Sequence, residues 1–158
     1  MRSETEIHIL SYEPRHREAF RDLNTWWIRQ YFKMEEKDYQ ILGHPEKYIV
    51  GKGGHILVAE LEGQPAGVCA LIPSEEEGFD YELTKMGVAP QFHGRGIGKA
   101  LGASILEKAR GLGARRVFLD SNTVLGPAIK LYRHLGFREI PKGNSPYERC
   151  NIRMAVDL

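Results

Sequence analysis

Three glycines at alternate positions, Gly94, Gly96 and Gly98, lie between an apolar strand pattern and a long amphipathic helix pattern. Glycine has no side chain, so the backbone of such a turn can approach a ligand closely. Free N–H groups at a helix start, reinforced by the helix dipole, attract anions. Arg95 and Lys99 add positive charge beside the turn. The segment therefore predicts a diphosphate site in which backbone N–H groups are the main ligands.

Two common phosphate-binding motifs do not fit these glycines. A P-loop requires GxxxxGK followed by Ser or Thr, whereas Gly98-Lys99 is followed by Ala100, and the residue five before Gly98 is His93. The dinucleotide fingerprint GxGxxG fails as well, because its third glycine would fall on Lys99 or on Leu101. The glycines therefore indicate a different kind of anion-binding turn.

Two glutamates are candidates for a general base. On a regular strand, the side chain of Glu82 lies on the same face as those of Thr84, Met86 and Val88. A carboxylate in this mostly apolar set is partly desolvated, which predicts a raised pKa. The alternative is a solvent-facing or ion-paired Glu82. Glu148, near the last strand, is a second candidate.

A tyrosine stands on a second predicted helix. Gly126-Pro127 predicts the start of this helix, because proline loses no hydrogen bond at the first helical position, and Gly136 predicts its end. Tyr132 shares one face of the helix with Ala128, Leu131 and Leu135. Its side chain is either part of the core or a hydroxyl available for chemistry.

The elements that position these residues follow from periodicity and turn signals. Strands are predicted over residues 7–11, 55–61, 65–73, 81–88, 116–120, 137–141 and 152–156. Helices are predicted over 14–30, 94–113 and 126–135, with a short helix and a turn over 34–48 and loops over 51–54 and 74–78. Hairpins followed by a strand–helix–strand unit predict an α+β (mixed α/β) fold. Residues 1–158 are expected to form a single domain.

Two motifs together resemble one known family. Gln91-x-x-Gly94-x-Gly96, directly after the strand segment MGVAP, resembles the acetyl-CoA pyrophosphate loop of the GNAT superfamily of N-acyltransferases. The segment SNTVLGPAIKLYRHLGF resembles the second CoA-binding motif of that superfamily, in which an Asn precedes a helix carrying a Tyr. Asn122 and Tyr132 match those two positions. The resemblance covers residues 79–140 and is weaker before them.

The resemblance implies a GNAT-like central sheet, mixed but mostly antiparallel, splayed midway and flanked by helices, with the acyl-CoA in the splay. It implies an N-acetyltransferase that uses acetyl-CoA as cosubstrate, with direct attack by a primary amine in a ternary complex. Tyr132 would be the general acid to the departing thiolate and Glu82 the base. The implied cofactor-binding residues are Met86, Val88, His93, Gly94, Arg95, Gly96, Ile97, Gly98, Lys99, Asn122, Ala128 and Tyr132. Met86 and Val88 would act through their main chain.

Several alternatives stay open at this point. The chain could be a non-catalytic acyl-CoA-binding or sensing domain, or a nicotinamide or flavin dinucleotide enzyme, although the missing third glycine disfavours the latter. The base is Glu82, Glu148 or water. The sequence does not identify the acceptor, which could be an amino acid, a polyamine, an antibiotic, a peptide N-terminus or a protein lysine.

Composition narrows the class of partners. The 158 residues carry a formal net charge of +1, with 42% hydrophobic and 27% charged residues. Interleaved charges argue against nucleic-acid or membrane partners, and the chain has no long apolar run. Cys69 and Cys150 are expected to be free thiols in a cytoplasmic protein, with no metal. The expected partner is a small-molecule or peptide amine acceptor, and a homodimer is compatible with the sequence.

An aromatic-rich region lies early in the chain. Its large side chains are too numerous to be left exposed, so most are expected in the core, with one or two lining an acceptor pocket. They are Trp26, Trp27, Tyr31, Phe32 and Tyr39.

Overall fold

The computed structural model describes residues 6–158. The strands are β1 (His8–Ser11), β2 (His55–Leu61), β3 (Gln64–Pro73), β4 (Tyr81–Val88), β5 (Arg116–Ser121), β6 (Arg138–Ile140) and β7 (Ile152–Asp157). The α-helices are α1 (Arg17–Tyr31), α2 (Glu36–Gly43), α3 (Pro45–Tyr48), α4 (Ile97–Gly111) and α5 (Gly126–His134). Short 3-10 turns cover Pro14–His16, Val50–Lys52 and Pro90–Phe92. The second of these lies within the loop predicted for residues 51–54.

The seven strands form one sheet in the order β1-β2-β3-β4-β5-β7-β6. Every neighbouring pair is antiparallel except β4 and β5, which are parallel. These two central strands pair only at Tyr81–Val117 and Glu82–Phe118, and they diverge after Glu82. The predicted fold class is therefore confirmed, because the sheet is mixed, mostly antiparallel and splayed in the middle.

Hydrophobic residues pack on both faces of the sheet. On one face, α4 and α5 cover a core that includes Leu101, Ile105 and Leu119. On the other face, α1 and α2 cover a second core that includes Phe20 and Ile41. The helices thus sit on both sides of the splay and form the walls of the space that opens between β4 and β5.

Strand β4 contains a bulge that changes which side chains share a face. Residues Lys85 and Met86 together lie opposite Cys69 of β3, and Lys85 has a left-handed φ of +54°. Met86 and Val88 pack against the core on the α4 side. Directly paired residues of adjacent strands share a face, so Glu82, paired with Ile72, faces α1 and α2.

The predicted grouping of Glu82 with Met86 and Val88 on one face is therefore wrong. The prediction assumed a strict period of two, and the extra residue at the bulge moves everything after it to the opposite face. The carboxylate and the two apolar residues lie on opposite sides of the sheet.

Two details of the long helix also differ from the prediction. Helix α4 begins at Ile97, not at residue 94, because Gly94 and Gly96 both have φ of +79° and form the preceding turn. Leu112, which lies inside the helix predicted for residues 94–113, follows the observed helix and is exposed. Both cysteines are free and buried, as expected. Along residues 6–158, no helix combines the length and apolar character that a membrane crossing requires.

Candidate active site

The space between the diverging strands is a cavity of about 570 Å³. Its walls come from α1, β4, the turn that precedes α4, the end of β5, α5, and the residues Tyr147, Arg149 and Cys150. The glycine turn lies on its lining, and so do Glu82 and Tyr132. The splay thus brings the predicted anion site and both predicted acid–base groups to a single cavity.

The first two glycines of the turn leave room for a ligand. Gly94 and Gly96 adopt the left-handed conformation that disfavours other residues, and a Cβ added at either position would meet nothing within 4 Å. Gly98 is different, because a Cβ there would come within 3.1 Å of Leu131 Cδ2. Gly98 therefore allows α4 to pack closely against α5, whereas the other two form an open backbone concavity.

The two basic side chains beside this turn lie outside the cavity. Arg95 and Lys99 are both exposed, and neither lines the space between β4 and β5. Any anion held by this turn would therefore meet backbone N–H groups first. The side chains of Ile97 and Ala128 border the same part of the cavity.

The free edge of β4 carries one contact that the sequence did not suggest. His93 Nε2 lies 3.0 Å from the carbonyl oxygen of Val88. A carbonyl can only accept, so this nitrogen carries the proton and donates it. The same ring packs edge-on against Trp26, with centroids 5.9 Å apart. His93 thus connects the glycine turn to β4 and to α1 beside the cavity.

Tyr132 has an unused hydroxyl. Burial, with Cys69 nearby, raises the pKa of Tyr132 to about 12. Its ring packs edge-on against Phe137, with centroids 6.0 Å apart. The hydroxyl forms no hydrogen bond with any of the residues 6–158, so it can donate to an atom placed in the cavity.

Asn122 uses both ends of its amide within the protein. Its Nδ2 donates to the carbonyl oxygen of Arg149 at 2.7 Å, and its Oδ1 accepts from the Val124 N–H at 2.8 Å. The residue lines the cavity. Its side chain fixes the end of β5 against the 147–150 segment, so only its remaining lone pairs and N–H can contact a ligand.

Glu82 is a carboxylate with a strongly altered pKa. Burial raises its pKa to about 7, and the charge of Asp120 adds to the shift, while Lys85 and Arg153 oppose it. The predicted rise in the pKa of Glu82 is confirmed. Glu82 forms no hydrogen bond or ion pair with the part of the chain that the structure describes. Glu148, the other candidate base, is exposed and does not line the cavity.

A buried cluster of charges lies beside Glu82, and sequence reasoning missed it. Lys85 Nζ donates to Asp38 Oδ1 and to the Tyr147 hydroxyl, both at 2.8 Å. Arg149 binds Asp38 through two hydrogen bonds of 2.7 Å and also contacts Glu35. Burial opposes the charge of Asp38, but the Arg149 hydrogen bonds and Lys85 outweigh it and hold its pKa at about 2. No spacing in the sequence links α2, β4 and residues 147–149, so the cluster was not predictable.

A second cavity, of about 410 Å³, adjoins the first on the α2 side of the sheet. The two cavities share Glu82, Thr84, Asp120 and Tyr147 in their walls. Arg153 lies in the second cavity and binds both carboxylate oxygens of Asp120, at 2.8 and 3.0 Å. Glu82 is thus reachable from two sides.

The aromatic region lines the mouth of the first cavity. Trp26, Trp27, Tyr31 and Phe32 all border it. Trp26, Tyr31 and Tyr39 are exposed, so the prediction that most of the five aromatics are core residues is wrong. The apolar surfaces of Trp26 and Tyr31 face the cavity and solvent, because α1 ends where β4 and β5 separate.

Comparison with known proteins identifies the family. The family model described as Acetyltransferase (GNAT) family matches residues 18–137. The chain is 32% identical over 131 residues to the uncharacterized N-acetyltransferase YjgM of Escherichia coli (strain K12), covering 76% of this chain and 70% of that protein. It is 39% identical over 93 residues to N-acetylaspartate synthetase of Danio rerio, covering 59% of this chain and only 33% of that relative.

Solved structures have the same fold. A GNAT-family acetyltransferase from Staphylococcus aureus Mu50 superposes with a TM-score of 0.83 at 21% identity, covering 96% of this chain and 99% of that one. A Bacillus subtilis acetyltransferase in complex with CoA gives a TM-score of 0.72 at 20% identity, covering 97% and 99%. At these identities, the structures support the fold, and the family follows from the sequence matches. The chain belongs to the GNAT family of acetyltransferases.

Proposed function

We propose that this protein transfers the acetyl group of acetyl-CoA to a primary amine, which attacks the thioester directly in a ternary complex. One observation carries the proposal. A single cavity extends from the open glycine turn to the carboxylate of Glu82, which has a pKa of about 7, and it also includes the hydroxyl of Tyr132. Neither group has a hydrogen-bond partner among residues 6–158.

In this proposal the pyrophosphate of acetyl-CoA binds the backbone N–H groups of residues 94–98, with Arg95 and Lys99 assisting from outside. The pantetheine follows the free edge of β4 and pairs with the main chain of Met86 and Val88. The Val88 carbonyl now accepts from His93, so the imidazole would move aside when the cosubstrate binds. The CoA complex of the similarly folded Bacillus subtilis acetyltransferase supports this choice of cosubstrate.

Glu82 would remove the proton from the attacking amine. The nitrogen bonds to the thioester carbon, the carbon–sulfur bond breaks, and the products are an acetamide and the CoA thiol. An ordinary alkylammonium has a pKa near 10.4, so transfer to Glu82 before attack is uphill by ~5 kcal/mol. That proton must leave first, because an ammonium has no lone pair for the attack. A remaining N–H of the neutral amine becomes acidic as the nitrogen–carbon bond forms, and Glu82 would accept this second proton during or after the attack. A base with a pKa near neutrality suits that step.

Tyr132 would donate a hydrogen bond to the departing sulfur. Complete proton transfer from a phenol of pKa about 12 to an alkanethiolate of pKa near 8.5 is uphill by ~5 kcal/mol. Stabilisation of the developing negative charge by this hydrogen bond is therefore its main contribution. The proton that the product thiol needs is balanced by the one that Glu82 takes from the amine.

The thiols support direct attack over a covalent intermediate. Burial raises the pKa of Cys69 to about 12, and Cys69 does not line the cavity. Cys150 does line it, but burial raises the pKa of this thiol too. A cysteine nucleophile needs a thiolate, which neither environment favours.

The test is release of the CoA thiol from acetyl-CoA in the presence of a panel of primary amines. We expect amine-dependent release, with intersecting double-reciprocal plots when both substrates are varied. Parallel plots would contradict the ternary complex. Acetyl-CoA binding without thiol release for any amine would favour the non-catalytic sensing domain instead.

A further inference from the structure

Three side chains on the cavity wall have hydrogen-bond donors that the protein does not use. Lys85 has three N–H groups, of which Asp38 and the Tyr147 oxygen occupy two. The hydroxyl proton of Tyr147 has no acceptor among residues 6–158. Arg149 donates through Nη1 and once through Nη2, which leaves Nε–H and one Nη2–H without a described partner.

These donors belong to residues of the cavity wall. Lys85, Tyr147 and Arg149 all line the larger cavity. Within residues 6–158, the side-chain nitrogen and oxygen atoms that are fully buried without a partner are confined to His8 and His16. Arg149 Nε has no partner among residues 6–158 and is not one of these buried atoms, so it is open to the cavity. Lys85 and Tyr147 have partners, and a ligand meets them as residues of the cavity wall.

The cavity also offers an unpartnered carboxylate from the described residues, which can accept hydrogen bonds. Glu82 lines the same cavity and has no partner in the described chain. The same cavity thus offers unused N–H and O–H donors from Lys85, Tyr147 and Arg149 together with an unpartnered carboxylate from Glu82, within residues 6–158. A ligand that satisfies both carries an ammonium group and a carboxylate a short distance apart.

Charge balance favours the same kind of ligand. Lys85 and Arg149 are already in contact with two carboxylates, those of Asp38 and Glu35. This cluster has no net charge, so a ligand with a large net charge would be desolvated without compensation. A zwitterion adds two opposite charges and no net charge. Its carboxylate would receive charge-assisted hydrogen bonds from the arginine and the lysine.

We infer that the acceptor is a free amino acid, whose carboxylate binds Arg149, Lys85 and Tyr147 while its amino group lies against Glu82. This inference rests on the proposed function and names the substrate class for the same site. The product is then an N-acetylated amino acid that keeps its carboxylate. A peptide N-terminus has a neutral carbonyl at the same position, which would accept fewer and weaker hydrogen bonds from the unused donors than a carboxylate does.

Matched pairs of substrates test the inference. The twenty amino acids and their carboxamides are compared by thiol release from acetyl-CoA at pH 7. The carboxamides have less basic amines and supply more free base, so intrinsic reactivity favours them. We expect the best amino acid to exceed its own amide at least ~10-fold in kcat/KM, since a buried ion pair with good geometry is lost in the amide.

Two variants connect this preference to the proposed residues. Arg149→Lys keeps a cation beside Asp38 but loses the free Nε–H and Nη2–H, and Tyr147→Phe loses only the hydroxyl. Each should raise KM for the amino acid at least ~5-fold more than KM for the amide, so the acid-to-amide ratio of kcat/KM falls. Arg17→Lys, an exposed arginine paired with Glu46, is the control and should leave the ratio unchanged.

The outcomes separate the inference from the proposed function. Acetylation of amides, peptides or simple amines at least as fast as of every amino acid would overturn the inference and keep the amine acetyltransferase. An unchanged acid-to-amide ratio in both variants would also overturn it. If neither this series nor the wider panel of primary amines, peptides included, releases thiol, the proposed function itself fails.

Discussion

Lys85 Nζ lies 2.8 Å from Asp38 Oδ1, and the two side chains are only 2% and 0% exposed. This ion pair joins the bulge of β4 to the first turn of α2. Asp38 also accepts from the backbone N–H of Glu35 at 2.9 Å, so the same carboxylate caps the helix. The left-handed φ of Lys85 is unfavourable for a residue with a side chain, and the contacts of its ammonium hold it in place.

Asp38→Asn should strongly destabilise the protein, because it leaves the Lys85 and Arg149 cations buried without their carboxylate. Breaking one side of a buried pair lowers the free energy of unfolding by about 3–5 kcal/mol. Urea denaturation measures the change. Arg110→Ala, which breaks an exposed pair with Glu107 on α4, is the control and should have little effect. A loss below ~1 kcal/mol in Asp38→Asn would contradict the role assigned to the cluster.

Local patterns predicted most strands and helices, because hydrophobic periodicity and turn residues act over short stretches. They failed at the β4 bulge, where the register depends on pairing with β3, which periodicity along one strand does not show. Glu82 illustrates the consequence. Its raised pKa was predicted from an assumed apolar face, yet the cause is burial near Asp120 on the opposite face. The prediction of a raised pKa is confirmed, and the role of Glu82 as base stays a prediction.

The glycine turn shows what the spacing of residues can and cannot predict about a binding site. The sequence grouped Gly94, Gly96 and Gly98 as one anion site, whereas only the first two leave open space, and the third makes room for Leu131. The contact of His93 with the Val88 carbonyl depends on how the turn folds back over β4. Such contacts arise from tertiary packing, which the spacing of residues does not determine.

Gly96→Ala should weaken acetyl-CoA binding at least ~10-fold, because the methyl group would enter the open space before the turn and strain the left-handed backbone. Gly63→Ala is a matched control, since Gly63 has φ of +74° and equally open surroundings in the β2–β3 hairpin. Each variant should lose ~1–2 kcal/mol of stability. Calorimetric titration should detect weaker binding only for Gly96→Ala. Equal affinities in the two variants would remove the turn from the binding site.

Tyr132→Phe should lower kcat by ~10²–10⁴-fold, the usual range for an acid–base group, with little change in acetyl-CoA affinity. Because its pKa is raised to about 12, the phenol stays protonated, and wild-type kcat should show no decline caused by Tyr132 below about pH 11. Tyr39→Phe, an exposed tyrosine on α2, is the control. Pre-steady-state measurements establish whether chemistry limits the rate. If it does and Tyr132→Phe keeps the wild-type kcat, Tyr132 has only a packing role.

The dependence of kcat/KM on pH should report the ionisation of the Glu82 carboxyl group. A base with a pKa of about 7 is active when ionised, so kcat/KM should have a rising limb through that pH, and ionisation of the free amine adds a further rise at higher pH. Glu82→Gln should remove the limb near pH 7. The activity of this variant relative to wild type should be higher at high pH, where more of the amine is unprotonated. A profile unchanged in Glu82→Gln would assign the role to water, to Glu148 or to the amine itself.

The same carboxylate should make stability depend on pH. The pKa of Glu82 is about 7 in the folded protein against a reference of 4.5, so between these values the folded state binds more protons than the unfolded state. Stability therefore decreases as pH rises from 4.5 to 7, and the full loss remains above pH 7. Glu82→Gln lacks this charge and should be more stable than wild type at pH 8 by up to ~3 kcal/mol, with little difference near pH 4.5. Urea midpoints at the two pH values test this, with Glu107→Gln on the exposed face of α4 as the control. A stability difference of the same size at both pH values would show that Glu82 does not carry the unfavourable buried charge.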